Sequence, residues 1–288
     1  MSDFVRSSER IRRIIARAIL AGAVIIGAAA RAEAPARVVS INLCTDQLAM
    51  LIAGEGQLLS VSHIARDRRV SAMADLAAGL DVNYGRAEEI YMLRPDLVLA
   101  QEYSPRATLA MLRRLGIPVV TLPDAATFGD VRANMAEMGR LLGREDAAAA
   151  LIAEYDARLA ALRDEAAERP RAVLYQASGY TSGGDTLAGR ILIAAGFANA
   201  AAAADYGTGA KIPLEVLAML APDLVLTSEP YPGASRSEEM LRHPVVAALR
   251  EGRRAAMTDH DWICGTPFVL RAVEHLAATR AAMTGTSE

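Results

Sequence analysis

The sequence contains two cysteines, Cys44 and Cys264, and each follows a short apolar run that is typical of a β-strand. Three kinds of chemistry are open to such a pair: free and half-buried thiols, a disulfide, or contact with a metal centre in a bound ligand. A disulfide needs Cα atoms about 4.4–6.8 Å apart, a distance that the sequence does not provide. Free thiols are therefore the default interpretation.

Two of the four histidines, His63 and His260, also fall at predicted strand ends. Imidazoles in such places can bind Zn²⁺ or Mn²⁺ together with carboxylates. That site would need several His, Asp or Glu side chains to converge, and the sequence has no His-rich loop. Direct capture of Zn²⁺ or Mn²⁺ is kept as an alternative hypothesis, and no residue is assigned as a metal ligand.

Aromatic residues make up only 5% of the chain, so those near predicted strand ends stand out. Ligands of open α/β sheets bind beyond the carboxyl ends of the strands, and flat aromatic rings pack well on flat ligands. Tyr231 is one further loop tyrosine near such an end. The residues predicted to contact a ligand are Asn42, Cys44, Thr45, His63, Tyr84, Tyr103, Tyr180, Tyr206, Trp262 and Cys264.

The sequence lacks the short motifs of several common enzyme classes. It has no G-x-x-x-x-G-K-[ST], no G-x-G-x-x-G after the first strand, no G-x-S-x-G and no H-E-x-x-H. A net charge of −3 argues against a nucleic-acid binder, which needs a basic face. These absences count against the common enzyme classes, although catalytic triads assemble from residues distant in sequence. A secreted α/β enzyme is therefore kept as the alternative from a different class.

Residues 1–34 are predicted to be a secretory signal peptide. Five arginines precede an apolar run, Ala18–Ala30, and Ala32-Glu33-Ala34 follows as a cleavage site. The apolar run is shorter than the ~20 residues that a membrane-spanning helix needs. The sequence therefore predicts an exported protein, which in a bacterium means a periplasmic one.

The remaining chain alternates apolar strands with helical segments, a pattern typical of parallel sheets buried on both faces. In the middle, Arg144–Glu168 has no Gly or Pro and consists mainly of strong helix formers. The pattern predicts an N-terminal lobe over 35–143, a connecting helix over 144–168 and a C-terminal lobe over 169–288.

An internal repeat supports two related lobes. The segment Glu88–Leu99 resembles Glu215–Leu226, and equivalent residues such as Pro95 and Pro222 are 127 positions apart. In each copy a Glu opens a helix, the helix ends before Pro, and an apolar strand follows. One copy lies on each side of the predicted connecting helix.

With these features in place, the chain resembles the periplasmic substrate-binding proteins of ABC importers for cobalamin and ferric siderophores. The resemblance implies an α/β fold of two Rossmann-like lobes with parallel sheets, joined by one long α-helix. The segments that carry it are Arg37–Leu51, Glu88–Ala100, Glu215–Thr227 and Asp261–Leu276.

The resemblance also implies a function. Such a protein binds a metal chelate, here a ferric siderophore or a cobalamin-type corrinoid, and delivers it to a membrane permease driven by separate ATPase subunits. It is expected not to be an enzyme and to act as a monomer, without a resident cofactor and without nucleic acid.

In this family, a Glu on the outer surface of each lobe docks into arginine pockets of the permease. The matching residues here are Glu88 and Glu215, and Glu89 is a competitor in the first lobe. Carboxylate–guanidinium pairs are directional, and two separated pairs would fix the orientation of the complex. The alternative role for each Glu is to favour a helix N-terminus.

Overall fold

The computed structural model describes residues 34–162, 169–228, 233, 235–251, 255–257 and 259–285. The predicted signal peptide up to residue 33, the last six residues of the predicted connecting helix and Tyr231 lie outside these ranges. No helix in the described ranges combines the length and apolar character that a membrane span requires.

The first half of the described chain builds a five-stranded parallel sheet with strand order β3-β2-β1-β4-β5. We call this sheet and its helices the N-terminal lobe. Its elements are β1 (Val38–Ser40), α1 (Leu43–Ile52), β2 (Leu58–Ser62), α2 (Ala74–Ala77), β3 (Asp81–Asn83), α3 (Ala87–Met92), β4 (Leu97–Gln101), α4 (Arg106–Arg114), β5 (Val119–Leu122) and α5 (Phe128–Leu142).

One long helix, α6 (Glu145–Ala161), follows and packs against α5. Gly139 permits this contact, because a Cβ at that position would lie 2.4 Å from the Cβ of Ala148. The predicted connecting helix is therefore present. Its first helical residue is Glu145 rather than Arg144, and its described part ends at Ala161.

The second half builds a four-stranded parallel sheet with strand order β11-β10-β6-β8 and a two-stranded antiparallel pair, β7 with β9. We call this region the C-terminal lobe. Its elements are β6 (Arg171–Leu174), β7 (Tyr180–Thr181), α7 (Leu187–Ala194), β8 (Ala198–Asn199), β9 (Ala210–Lys211), α8 (Leu214–Met219), β10 (Leu224–Ser228), α9 (Arg236–Glu239), α10 (Pro244–Leu249), β11 (Ala255–Met257), α11 (Asp259–Trp262) and α12 (Val269–Thr284).

Both faces of each sheet are covered, as the near-continuous apolar strands predict. Successive strand residues point to opposite faces, so Val38 and Val39 lie in different hydrophobic clusters. The cluster that contains Val38 also contains Leu174 and Leu226 of the second sheet. One continuous apolar core therefore joins the two lobes, and each lobe has a smaller cluster of its own on the other face.

The internal repeat is confirmed as a structural one. The bounds of α3 and β4 coincide, residue for residue at the same offset, with those of α8 and β10. In both copies the residue before the proline, Arg94 or Ala221, has positive φ. In both, an aspartate after the proline accepts a hydrogen bond from a backbone N–H: Asp96 from Arg37, and Asp223 from Arg171.

The predicted fold class is confirmed: an α/β architecture with two parallel sheets and a long helix between them. The division of the chain at 35–143, 144–168 and 169–288 stays a prediction. The first strand ends at Ser40, because Asn42 already caps the helix that follows.

Candidate functional site

Cys44 and Cys264 form a disulfide with a Cα–Cα distance of 5.1 Å. Cys44 lies in the first turn of α1, directly after the central strand of the first sheet, and Cys264 follows α11 in the C-terminal lobe. The default interpretation of two free thiols is therefore wrong. The reason is geometric: 220 residues separate the pair in sequence, and only the fold brings them together.

The disulfide shows where the two lobes meet. It joins the carboxyl end of β1 to the segment that follows the carboxyl end of β11. In both sheets the chain order reverses beside a central strand, β1 in one and β6 in the other. Such switch points are the usual ligand sites of open α/β sheets. The loops at the carboxyl ends of the two sheets therefore define a candidate cleft, and the disulfide lies among these loops.

The two lobes also pack closely together next to the disulfide, at Gly265. A Cβ added to Gly265 would lie 2.3 Å from the Cβ of Ala125, in the segment that follows β5. Only a glycine allows the two lobes to approach this closely here. A small cavity at this contact is lined by Cys44, Thr45, Leu48, Gln101, Leu122, Pro123, Ala125, Asn134 and Gly265.

Two of the predicted ligand contacts instead hold the start of α1. The side-chain oxygen of Asn42 accepts a hydrogen bond from the backbone N–H of Cys44 at 2.9 Å, which caps the helix. Thr45 is fully buried, and its hydroxyl lies 2.7 Å from that of Ser40. These bonds explain the polar residues after β1 without a ligand, so the expectation for Thr45 is corrected.

Asp46 is a buried carboxylate that the sequence did not single out. It accepts hydrogen bonds from the backbone N–H and the hydroxyl of Ser62, at the carboxyl end of β2. Burial raises the pKa of this carboxyl from 3.8 to about 6, although hydrogen bonds from Ser40 and Ser62 act in the opposite direction. Asp46 thereby ties α1 to the residue that precedes His63. The sequence did contain a signal for this buried carboxylate, namely an acidic residue within an otherwise apolar helix start.

The raised pKa predicts a pH-dependent penalty on stability. The contribution of Asp46 is complete below pH 3.8 and is lost as the pH rises through about 6, because the folded state must then hold a buried charge. We expect the Asp46→Asn variant to gain about 2 to 3 kcal/mol relative to the unchanged protein between pH 4 and pH 7.5. Urea unfolding at several pH values measures the gain.

The matched control for this prediction is Asp205→Asn, which changes an exposed aspartate in the C-terminal lobe. Its pH profile should follow that of the unchanged protein. Parallel profiles for the unchanged protein and Asp46→Asn would show that the carboxyl does not titrate in this way.

His63 and Tyr84 form a stacked ring pair on the N-terminal lobe. The strands that precede them are neighbours, with Ser62 paired to Asn83, so the two side chains emerge side by side. Their ring centroids are 4.7 Å apart with an interplanar angle of 24°. Tyr84 is 60% exposed, and His63 is exposed as well. The structure thus brings together two predicted ligand contacts and leaves their rings open to solvent.

Glu89 holds the loop that carries this ring pair. Its carboxylate accepts hydrogen bonds from the backbone N–H groups of Tyr84 and Arg86, at 2.6 and 2.9 Å. The Arg86 guanidinium lies 6.0 Å from the centre of the Tyr84 ring, within reach of a cation–π contact. The ring pair therefore stands on a fixed loop with a cation beside it.

The other aromatic predictions divide by burial. Tyr103 after β4 is 77% exposed, so its ring is open to a ligand. Tyr180 on β7 is 43% exposed, and the hydroxyl edge of its ring packs on Gly209. Tyr206 is partly buried and packs against the core of the C-terminal lobe. Trp262 is 8% exposed and belongs to the large shared core, which corrects the expectation that its ring faces the cleft. A helix, α11, places it there instead of a strand end.

His260 does not form part of a metal cluster. Its Nε2 lies 3.5 Å from the carboxylate of Asp261, and the described ranges contain no group of three His, Cys, Asp or Glu side chains able to hold a metal ion. The hypothesis of direct Zn²⁺ or Mn²⁺ capture gains no support from this part of the chain.

The two predicted docking carboxylates occupy equivalent places on the outside of the molecule. Glu88 is the second residue of α3 and Glu215 the second of α8, and both are exposed. Neither takes part in an ion pair or hydrogen bond with another described residue. Glu89, the competitor, is occupied by the loop contacts above, so Glu88 is the one of these two adjacent carboxylates that has no described partner.

Comparison with known proteins agrees with this fold. The pattern of a family described as periplasmic binding protein matches residues 38–260. The cobalamin-binding protein of Halobacterium salinarum is 32% identical over 200 residues, which cover 67% of this chain and 54% of that protein. The chain thus matches about half the length of this relative.

Solved structures show the same architecture. The periplasmic heme-binding protein RhuT from Roseiflexus sp. RS-1 has a TM-score of 0.70 at 24% identity, over 84% of this chain and 98% of that one. The vitamin B12 binding protein BtuF of Vibrio cholerae has a TM-score of 0.66 at 19% identity, over 87% and 98%. At such identities the likeness concerns the fold alone. Since the family pattern covers well over half of the sequence and the two-sheet fold agrees with it, the chain belongs to the periplasmic binding protein family.

Proposed function

We propose that this protein is the periplasmic substrate-binding component of an ABC importer, and that it carries a metal chelate. The chelate is cargo, and the protein needs no resident cofactor. It acts as a monomer, is exported by its N-terminal signal peptide, and releases its ligand to a permease driven by separate ATPase subunits. Family membership supports the transport role, and the exposed aromatic rings near the carboxyl ends of the strands support the ligand class.

The exposed ring pair is the observation that carries the ligand class. Aromatic side chains are scarce, yet His63 and Tyr84 stack at the carboxyl edge of one sheet with their rings in solvent. Tyr103 is exposed beyond β4 of the N-terminal lobe, and Tyr180 is exposed on β7 of the C-terminal lobe. Rings in such places suit a large ligand with flat conjugated faces, such as a corrinoid or a catecholate ferric siderophore. The Arg86 guanidinium provides a cation for an acidic group on the chelate.

Titration of the purified protein with cyanocobalamin, hemin and a panel of ferric siderophores tests this proposal. We expect one member of the panel to bind one-to-one by calorimetry and to be recovered unchanged by mass spectrometry. Turnover of the ligand would favour the alternative of a secreted enzyme that uses the same cleft. Binding of ZnCl₂ or MnCl₂ alone, with none of the chelates bound, would favour the direct metal receptor.

Replacing both rings of the pair, His63→Ala with Tyr84→Ala, should weaken chelate binding at least tenfold, because a stacked aromatic face contributes about 1 kcal/mol or more beyond its buried area. Tyr91→Ala is the matched control, since Tyr91 is half-exposed on α3 and lies away from the strand ends. Equal affinities for the double variant and the control would place the ligand elsewhere.

A further inference from the structure

The two lobes present the same pair of exposed side chains at equivalent places. In α3, Glu88 is followed four residues later by Met92, and in α8, Glu215 is followed four residues later by Met219. Residues four apart lie on the same face of a helix. We call these pairs the Glu–Met patches: Glu88 with Met92 on the N-terminal lobe, and Glu215 with Met219 on the C-terminal lobe.

The methionines of these patches are unusually open to solvent. Met92 is 77% exposed and Met219 is 83% exposed, more than any other large aliphatic side chain in the described part of the chain. A single exposed apolar residue needs no explanation. Here the two most exposed ones occupy the same position of a repeated helix–strand unit, each beside an unpaired carboxylate.

The neighbouring surface differs between the two copies. Where α3 has the half-exposed Tyr91, α8 has Ala218, and the positive-φ position after each helix is Arg94 in one copy and Ala221 in the other. The lobes therefore agree in their exposed Glu and Met and differ around them. A shared fold alone does not require an exposed Met, because a polar residue would suit that position equally well.

We propose that Met92 and Met219 are the apolar anchors of the permease-docking surface, and that each Glu–Met patch binds a two-part site. One part is a guanidinium that pairs with the carboxylate, and the other is an apolar wall that receives the thioether. This proposal rests on the proposed transport function. Two equivalent patches fit a partner with two equivalent sites, one on each copy of a permease subunit.

The chemistry of methionine suits this role. Its unbranched, polarizable side chain adapts to irregular apolar surfaces and is frequent at binding surfaces that must re-pack. The carboxylate steers the encounter through long-range attraction, whereas the thioether contributes only after contact. In each patch, the Glu therefore affects mainly the association rate constant, and the Met affects mainly the dissociation rate constant.

Binding kinetics of the chelate-loaded protein on its host's permease–ATPase complex in nanodiscs test the proposal. We expect Met92→Ala with Met219→Ala to raise Kd about 100-fold, tenfold for each methionine. The increase should lie in the dissociation rate, with the association rate and its salt dependence unchanged. Met92→Leu with Met219→Leu should restore most of the affinity. Met111→Ala is the matched control, since Met111 is 44% exposed on α4.

The outcomes separate this proposal from the function on which it rests. If the unchanged protein binds the permease and the double alanine variant binds with the same Kd, the anchors are refuted and the transport function stands. If the unchanged protein does not bind the permease at all, both fail. Chelate affinity, measured in parallel, should be the same in every variant. A lower chelate affinity of the alanine variant would identify a folding defect, and the leucine variant should then have normal chelate affinity.

Discussion

Removal of the Cys44–Cys264 disulfide will lower the free energy of unfolding by about 3 to 5 kcal/mol. The bond closes a segment of 220 residues, and constraint of so long a loop removes much conformational entropy from the unfolded chain. It also fixes the two lobes together beside the tight contact at Gly265. Guanidinium unfolding of the oxidised and reduced protein measures the loss.

Trp262 makes this measurement direct. It is the only tryptophan of the chain, it is buried, and it lies two residues before Cys264. The variant Cys44→Ala with Cys264→Ala should match the reduced unchanged protein, and adding reductant to the variant should change nothing. Intact-mass analysis after alkylation is the independent check, because two modified cysteines without reductant would show that the bond does not form.

Charge reversal at the two carboxylates proposed to dock on the permease, Glu88→Arg with Glu215→Arg, will lower chelate uptake 100-fold or more while leaving chelate affinity intact. Each change replaces an attraction for a guanidinium by a repulsion, and like charges across an interface cost several kcal/mol. Uptake of radiolabelled chelate by cells that carry each variant measures the effect, with calorimetry on the purified variants in parallel.

Glu154→Arg serves as the control for charge itself, because Glu154 is exposed on the connecting helix α6. Uptake should be normal in that variant. The single reversals, Glu88→Arg or Glu215→Arg, should each retain partial uptake, since one anchor remains. Full uptake by the double variant would show that neither carboxylate takes part in docking.

The two Glu variants and the two Met variants report on one surface in different ways. Reversal of Glu88 and Glu215 should slow association, and the contribution of these pairs to its salt dependence should change sign, because salt then screens a repulsion. Truncation of Met92 and Met219 should speed dissociation. Agreement of both patterns would define a docking surface with charged and apolar parts in each lobe.

Local pattern was sufficient to predict the helix–strand unit around Pro95 and its copy around Pro222. Helix formers before a proline and an apolar run after it determine structure within about a dozen residues, so the offset of 127 residues in the sequence reappears in the helix and strand bounds. The parallel sheets follow from the same alternation of elements. The connecting helix was predictable for a similar reason, since its stretch lacks Gly and Pro.

The choice between Glu88 and Glu89 needed three-dimensional information. The two carboxylates are adjacent in sequence and equally suited to a helix start. In the structure, Glu89 turns back to accept hydrogen bonds from the Tyr84 loop, and Glu88 remains exposed. Burial of Asp46 against Ser62 is likewise a product of packing between α1 and β2.

The sequence by itself determined the fold class, the repeated unit, the connecting helix and the loops in which ligand contacts should be sought, because each of these depends on residues close together in the chain. The tertiary structure alone decided that Cys44 and Cys264 are bonded, that Trp262 is buried, and that His63 and Tyr84 stack in the open. Those outcomes depend on which strand ends become neighbours. The distance between Cys44 and Cys264, which are 220 positions apart, is set by the packing of whole lobes and cannot be inferred from the residues around either cysteine.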